Sequence, residues 1–149
     1  MSQPLSRLLR DTAAVTLAAW TLSCSSPSGP RFSSILLHQA TWHAQKLVNY
    51  SYTYEFHAFN SLADQPLRLE VIQDTVRSVV VLATGERIAP ATYFPTIDAL
   101  FDAARRATQN GSLRAITFDP VRGYPTLLSY AALPDALSAQ EASGLQPLP

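Results

Sequence analysis

Cysteine is almost missing from this chain, with one, Cys24, in 149 residues. A lone thiol forms no intramolecular disulfide, which excludes a disulfide-stapled scaffold and any metal ribbon built on cysteine pairs. Charge is scarce as well, at 15% of residues, and 11 basic against 11 acidic side chains leave a formal net charge of zero. The basic residues are scattered, without the clustered Lys/Arg footprint of a nucleic-acid binder, so nucleic acid is not an expected partner. No apolar run reaches the roughly 18 residues that a membrane-spanning helix needs. Gly-x-Ser-x-Gly and His-Glu-x-x-His are also absent, and no catalytic residue, cofactor or metal is assigned. What remains is 47% hydrophobic composition in a length that suits one globular domain.

The N-terminus carries a different message. Arg7 and Arg10 supply a positive region, residues 12–22 an apolar one, and the small Ser23 directly precedes Cys24, which is the anatomy of a cleaved export signal. The run Thr21-Leu22-Ser23-Cys24 resembles a bacterial lipobox, in which the cysteine is lipidated and becomes the new N-terminus. Thr21 stands where an aliphatic residue is usual, and Asp11 adjoins the apolar region. A signal cut elsewhere, or an N-terminal helix with a buried free thiol, are the competing readings. Ser25-Ser26-Pro27-Ser28-Gly29-Pro30 then reads as a polar tether. The expected division is therefore a lipoprotein-type signal peptide over residues 1–23, a tether over 24–31, and a single domain over 32–149.

Within that domain the clearest helical signal follows Pro95. Thr96 is a good N-cap, Asp98 suits the positive end of the helix dipole, and Ile97, Leu100, Phe101 and Ala104 fall on one face. A first helix is expected over 33–47, with Trp42 as its largest buried group. His38 and His43 invite a metal reading, but five residues turn a helix by about 500°, so the rings diverge. Residues 49–59 alternate with period two, Tyr50, Tyr52, Tyr54 and Phe56 against Ser51, Thr53, Glu55 and His57, which predicts a strand with an aromatic core face. A second strand follows at Leu67, Leu69 and Val71. Asp74-Thr75 reverses the chain, in a longer or bulged turn, into a β-branched run over 76–82 that reads as a central strand covered on both faces. Asn110-Gly111 ends the second helix, and another hairpin turns through Asp119, Gly123, Tyr124 and Pro125. Residues 134–145 are expected to hold one helical turn, with a loose tail at Pro147 and Pro149. The fold class predicted is α+β, an antiparallel sheet of four or five strands packed against two helices.

Trp42, Asn49-Tyr50-Ser51-Tyr52-Thr53-Tyr54, the helix start Pro95-Thr96-Ile97-Asp98-Ala99-Leu100-Phe101, and Phe118-Asp119-Pro120 with Gly123-Tyr124-Pro125 together resemble the family DUF6174. The resemblance runs over about residues 38–131 and implies a bacterial, lipoprotein-like domain of unknown function. It transfers no catalytic residue: Asp119, Gly123, Tyr124 and Pro125 carry over as a structural turn. Members commonly place Cys-x-Cys after the aromatic strand and Asp-Gly in the next turn, whereas this chain has Phe56-His57-Ala58-Phe59 and Asp74-Thr75. No disulfide or redox role is inherited.

The functional expectation is a non-enzymatic binding or structural module of the bacterial cell envelope, anchored to a membrane through a lipid on Cys24, with an envelope protein as its partner. Two alternatives stand beside it: a hydrolase using Glu55, His57 or Asp119 as acid/base groups, and a small-ligand site on the Tyr50, Tyr52 and Tyr54 face.

Overall fold

The computed structural model describes residues 30–57, 64–133 and 136–149; Cys24 and the expected signal segment lie outside them. The elements run α1 (Pro30–Ala44), β1 (Asn49–His57), β2 (Leu67–Ile72), β3 (Thr75–Val81), α2 (Ile97–Gln109), β4 (Leu113–Phe118), β5 (Pro125–Leu133) and β6 (Ala136–Pro147), with a 3₁₀ turn at Ala91–Tyr93. The strands form one open sheet in the order β3-β2-β1-β6-β5-β4, and every neighbouring pair is antiparallel. Among the described residues this is an α+β fold with six strands, where the sequence predicts four or five.

The additional strand is β6. The segment expected to hold a helical turn instead lies between β1 and β5, and its end is tied down, because the Leu148 amide donates to the Asn49 carbonyl at 3.0 Å. Its inward residues Ser138, Ala142 and Leu145 are small or interrupted by a register shift, where Gly144 takes φ +59° opposite the step between Ser51 and Thr53. A weak alternation hides the strand from periodicity.

One face of the sheet forms the core. Tyr50, Tyr52 and Tyr54 of β1, Leu67, Leu69 and Val71 of β2, and Val76, Val79 and Val81 of β3 are all buried there. Against them lies the face of α2 read from the sequence, with Ile97, Leu100, Phe101 and Ala104 buried, and Thr96 caps that helix by accepting from the Ala99 amide at 3.1 Å. The carbonyl-rich end is closed by Asn110 and by Gly111 at φ +74°.

Three local expectations are corrected. α1 stops at Ala44, not at Leu47, because Lys46 adopts φ +53° and donates its amide to the His43 carbonyl, a left-handed stop without glycine. The β2–β3 turn is Gln73-Asp74, both at positive φ, with Ile72 paired to Thr75, so Thr75 begins β3 and the reversal is a tight primed type. Asn49 supports it by accepting from the Gln73 amide at 3.1 Å. β3 is an edge strand, not a central one, and its β-branched residues alternate between the core and a partly open face.

Candidate functional site

Asp98 joins the two helices. It stands in the first turn of α2, where the helix dipole favours an anion, and its oxygens meet two side chains from the last turn of α1: Trp42 Nε1 at 3.4 Å and His43 Nε2 at 2.6 Å. Beside this clasp opens a cleft of about 550 Å³ lined by Trp42, His43, Lys46, Asp74, Asp98 and Asp102. Its groups are already engaged in part, since Asp102 pairs with Arg105 at 2.5 Å and Trp42 is buried. The cleft offers a mixed-charge contact surface but no activated nucleophile. The other helical histidine goes elsewhere: His38 stacks on Phe118 with ring centroids 4.0 Å apart. Among the described residues, no group of three or more His, Cys, Asp or Glu side chains could hold a metal ion.

The tyrosine row is closed. Tyr50 and Tyr52 have no exposure and Tyr54 has 5%, so the small-ligand site proposed for this face is withdrawn: the rings fill the core beneath the helices. Their hydroxyls dock the start of α2. Tyr50 accepts from the Ile97 amide at 3.1 Å, and Tyr52 donates to the Pro95 carbonyl. Burial raises the pKa of all three phenols, so they remain neutral hydrogen-bonding groups. Sequence alternation identified the rings as core but could not reveal this polar task, because the acceptor and donor come from a segment more than forty residues away.

On the opposite face of the sheet, Glu55 sits directly across from Glu141. His57 bridges two carboxylates, with Nδ1 2.5 Å from Asp64 and Nε2 3.2 Å from Glu141. The hydrogen bond with Asp64 is the chief cause of a raised His57 pKa. Both ring nitrogens of His57 are engaged by carboxylates, which leaves neither free to act as a general base toward a substrate. Ser51 is buried, but its oxygen receives Arg68 Nη2 at 2.6 Å, and it stands six residues from His57 along a strand, about 20 Å. Arg68 also reaches the Gly144 carbonyl at 3.3 Å and Gln146 at 3.1 Å, so it ties β2 across β1 to β6. Arg68 and Glu141 were not singled out from the sequence, and Asp98 was read only as an anion at the helix start; their partners lie far away in the chain.

The β4–β5 turn is built from the residues that the sequence marks. Asp119 Oδ1 accepts from the amides of Val121 and Arg122 at 3.0 and 2.6 Å, so its carboxylate holds a turn. Gly123 takes φ +78°, Tyr124 packs against Trp42 with centroids 6.4 Å apart, and Pro125 opens β5. Arg122 reaches the Leu145 carbonyl at 2.5 Å, and Gln45 at the end of α1 donates to the Arg122 carbonyl at 2.6 Å. The turn thus joins α1, β5 and β6, and it brings no acid/base pair together with His57.

No curated protein and no solved structure matches the chain. A family model does, over residues 34–132, about two thirds of the sequence and from α1 to the end of β5. The Trp42 anchor, the tyrosine strand, the capped α2 and the Asp119 turn all fall inside that match, and the chain belongs to the family of unknown function DUF6174.

Proposed function

We propose that this chain is a non-enzymatic binding module of the bacterial cell envelope, held to a membrane by a lipid on Cys24. The observation that carries the reading is the order of parts at the N-terminus: Arg7 and Arg10, an apolar stretch, Ser23 before the single cysteine, a Ser/Pro/Gly tether, and then a helix from Pro30 that opens the folded domain. Among the described residues no helix is long and apolar enough to cross a membrane. At about 0.8 kcal/mol per buried methylene, two or three acyl chains hold a domain of this size firmly. The non-enzymatic half is supported by how the polar groups are used. Asp119 holds a turn, His57 lies between two carboxylates, and Ser51 faces a guanidinium.

The anchor is tested by Cys24→Ser. Wild type is expected to partition into detergent and to run shorter than its precursor, while the variant leaves the membrane fraction or stays unprocessed. An intact mass corresponding to the unmodified Met1 or Ser2 start with a free thiol would overturn the reading.

A further inference from the structure

The sheet has two edges, and they are treated differently. At β3 the following segment folds back on the outer side: Val80 forms a bridge with Arg87, the Ile88 amide donates to the Val79 carbonyl at 3.0 Å, and the Val81 amide donates to the Glu86 carbonyl at 2.9 Å. Among the described residues no strand lies outside β4, although Ala115, Ile116 and Thr117 keep unbroken pairing with Ser129, Leu128 and Leu127 on the inner side. Alongside runs the first half of α1. Between helix and strand is a groove of about 420 Å³, lined by Arg31, Ser34, Leu113, Arg114, Ile116 and Phe118. Its floor is apolar, with Phe118 fixed between His38 and Phe101 by ring stacking at 4.0 and 6.2 Å.

The charge at this groove has one sign. Arg31 and Arg114 line it without any acidic side chain, and among the described residues neither guanidinium forms a salt bridge. Among the described residues Arg114 makes only a long bond, at 3.5 Å, to the Gly111 carbonyl. An open edge beside a helix is the geometry in which extended peptides add a strand, their backbone pairing with the edge and alternate side chains entering the groove. We infer that β4 receives an extended, carboxylate-bearing peptide segment of a partner protein, which adds to the sheet as an outer strand, places apolar side chains over Ile116 and Phe118, and meets Arg31 and Arg114 with its carboxylates. Guanidinium forks suit such acids in bidentate geometry. Two β4 edges from two copies would instead bring arginine against arginine, so a second copy is the poorer occupant. The inference rests on the binding-module reading but does not depend on the anchor.

The test uses the full chain, isotope-labelled in detergent micelles, and three capped hexapeptides that carry charge and apolar groups on one face: Glu-Thr-Val-Thr-Val-Thr (the Val/Glu peptide), the same sequence with Lys for Glu, and the Val/Glu sequence with N-methyl groups on its backbone amides. The Val/Glu peptide should slow amide exchange within residues 113–118. The Lys analogue should bind about tenfold more weakly, a gap that shrinks as salt screens the arginines, and the N-methylated peptide should fail to protect the strand. Arg31→Glu with Arg114→Glu, both surface changes, should invert the preference between Glu and Lys. Equal binding of the two charge types, indifference to N-methylation, or no protection at 113–118 overturns the proposal. So does protection there that grows with protein concentration alone, since a second copy would then be the occupant. Protection confined to another surface would sink the β4 site while leaving the binding module standing, and membrane partition of the Cys24 variant scores the anchor separately.

Discussion

A single hydrogen at Gly123 is the clearance between the β4–β5 turn and α1. A Cβ at this position would lie 2.7 Å from the His38 carbonyl oxygen and 3.0 Å from Thr41 Cβ, and the backbone sits at φ +78°. Helix backbone cannot yield as a flexible side chain would, so strain and collision add. Gly123→Val is expected to destabilise the protein by about 2–4 kcal/mol, read as a fall in the thermal midpoint. A change under about 0.5 kcal/mol would mean that α1 does not rest on the turn. The positive φ was legible in the sequence as a turn glycine, whereas the collision depends on where α1 docks and left no local trace. His57 gives the opposite kind of residue, important to pH but not to folding. Its pKa is raised on folding from an ordinary 6.5, so its contribution is fully present below that value and is lost as pH rises through the raised folded value. His57→Ala should therefore narrow the gap in stability between mildly acidic and alkaline conditions, with a loss at neutral pH below about 1 kcal/mol for so exposed a pair. Parallel pH profiles for the two proteins would remove the ion pair with Asp64 from the account.

At the scale of elements, α2 is held by more than its apolar stripe. The Ile97 amide is one of the donors that a helix start leaves unpaired, and the buried Tyr50 hydroxyl accepts from it. Tyr50→Phe keeps the ring in the core and removes only that acceptor. The expected cost is about 1–3 kcal/mol, with faster amide exchange at Ile97 as its local sign. Unchanged exchange there would show that the hydroxyl does not hold the helix start. The cap at Thr96, the buried face of α2 and the aromatic face of β1 were readable because each is written in local spacing. Leu36 and Leu37 were not: they are 46% and 69% exposed, and α1 buries chiefly Ile35 and Trp42 through contacts made elsewhere. The assignment of β3 to the sheet interior failed for a related reason. Branched side chains favour extended backbone wherever it lies, but they do not report whether a neighbour flanks it.

For the molecule as a whole, the decisive element is the one least visible in the sequence. β1, β2 and β3 form one meander and β4 and β5 form a hairpin, and among the described residues β6 is the strand that hydrogen-bonds to both sets. The family match stops at residue 132, before this strand begins, although Ala142 and Leu145 belong to the buried core. Residues 136–147 alternate poorly because the centre of the sheet has little room opposite the tyrosines of β1 and the side chains of β5, so small groups face inward and Gly144 breaks the register. Gln140 adds a polar tie, donating to the Tyr130 hydroxyl at 2.8 Å. Without β6, the inner edges of β1 and β5 would each lose a full ladder, and Arg68 and Arg122 would lose their acceptors on Gly144 and Leu145. That loss is comparable with the whole stability of a small domain, about 5–15 kcal/mol. A chain ended after Leu133 should therefore show no cooperative thermal transition and poor dispersion of its amide resonances, even though it retains everything the family match covers. A cooperative transition in that truncated chain would place β6 outside the folding unit and return the sheet to five strands.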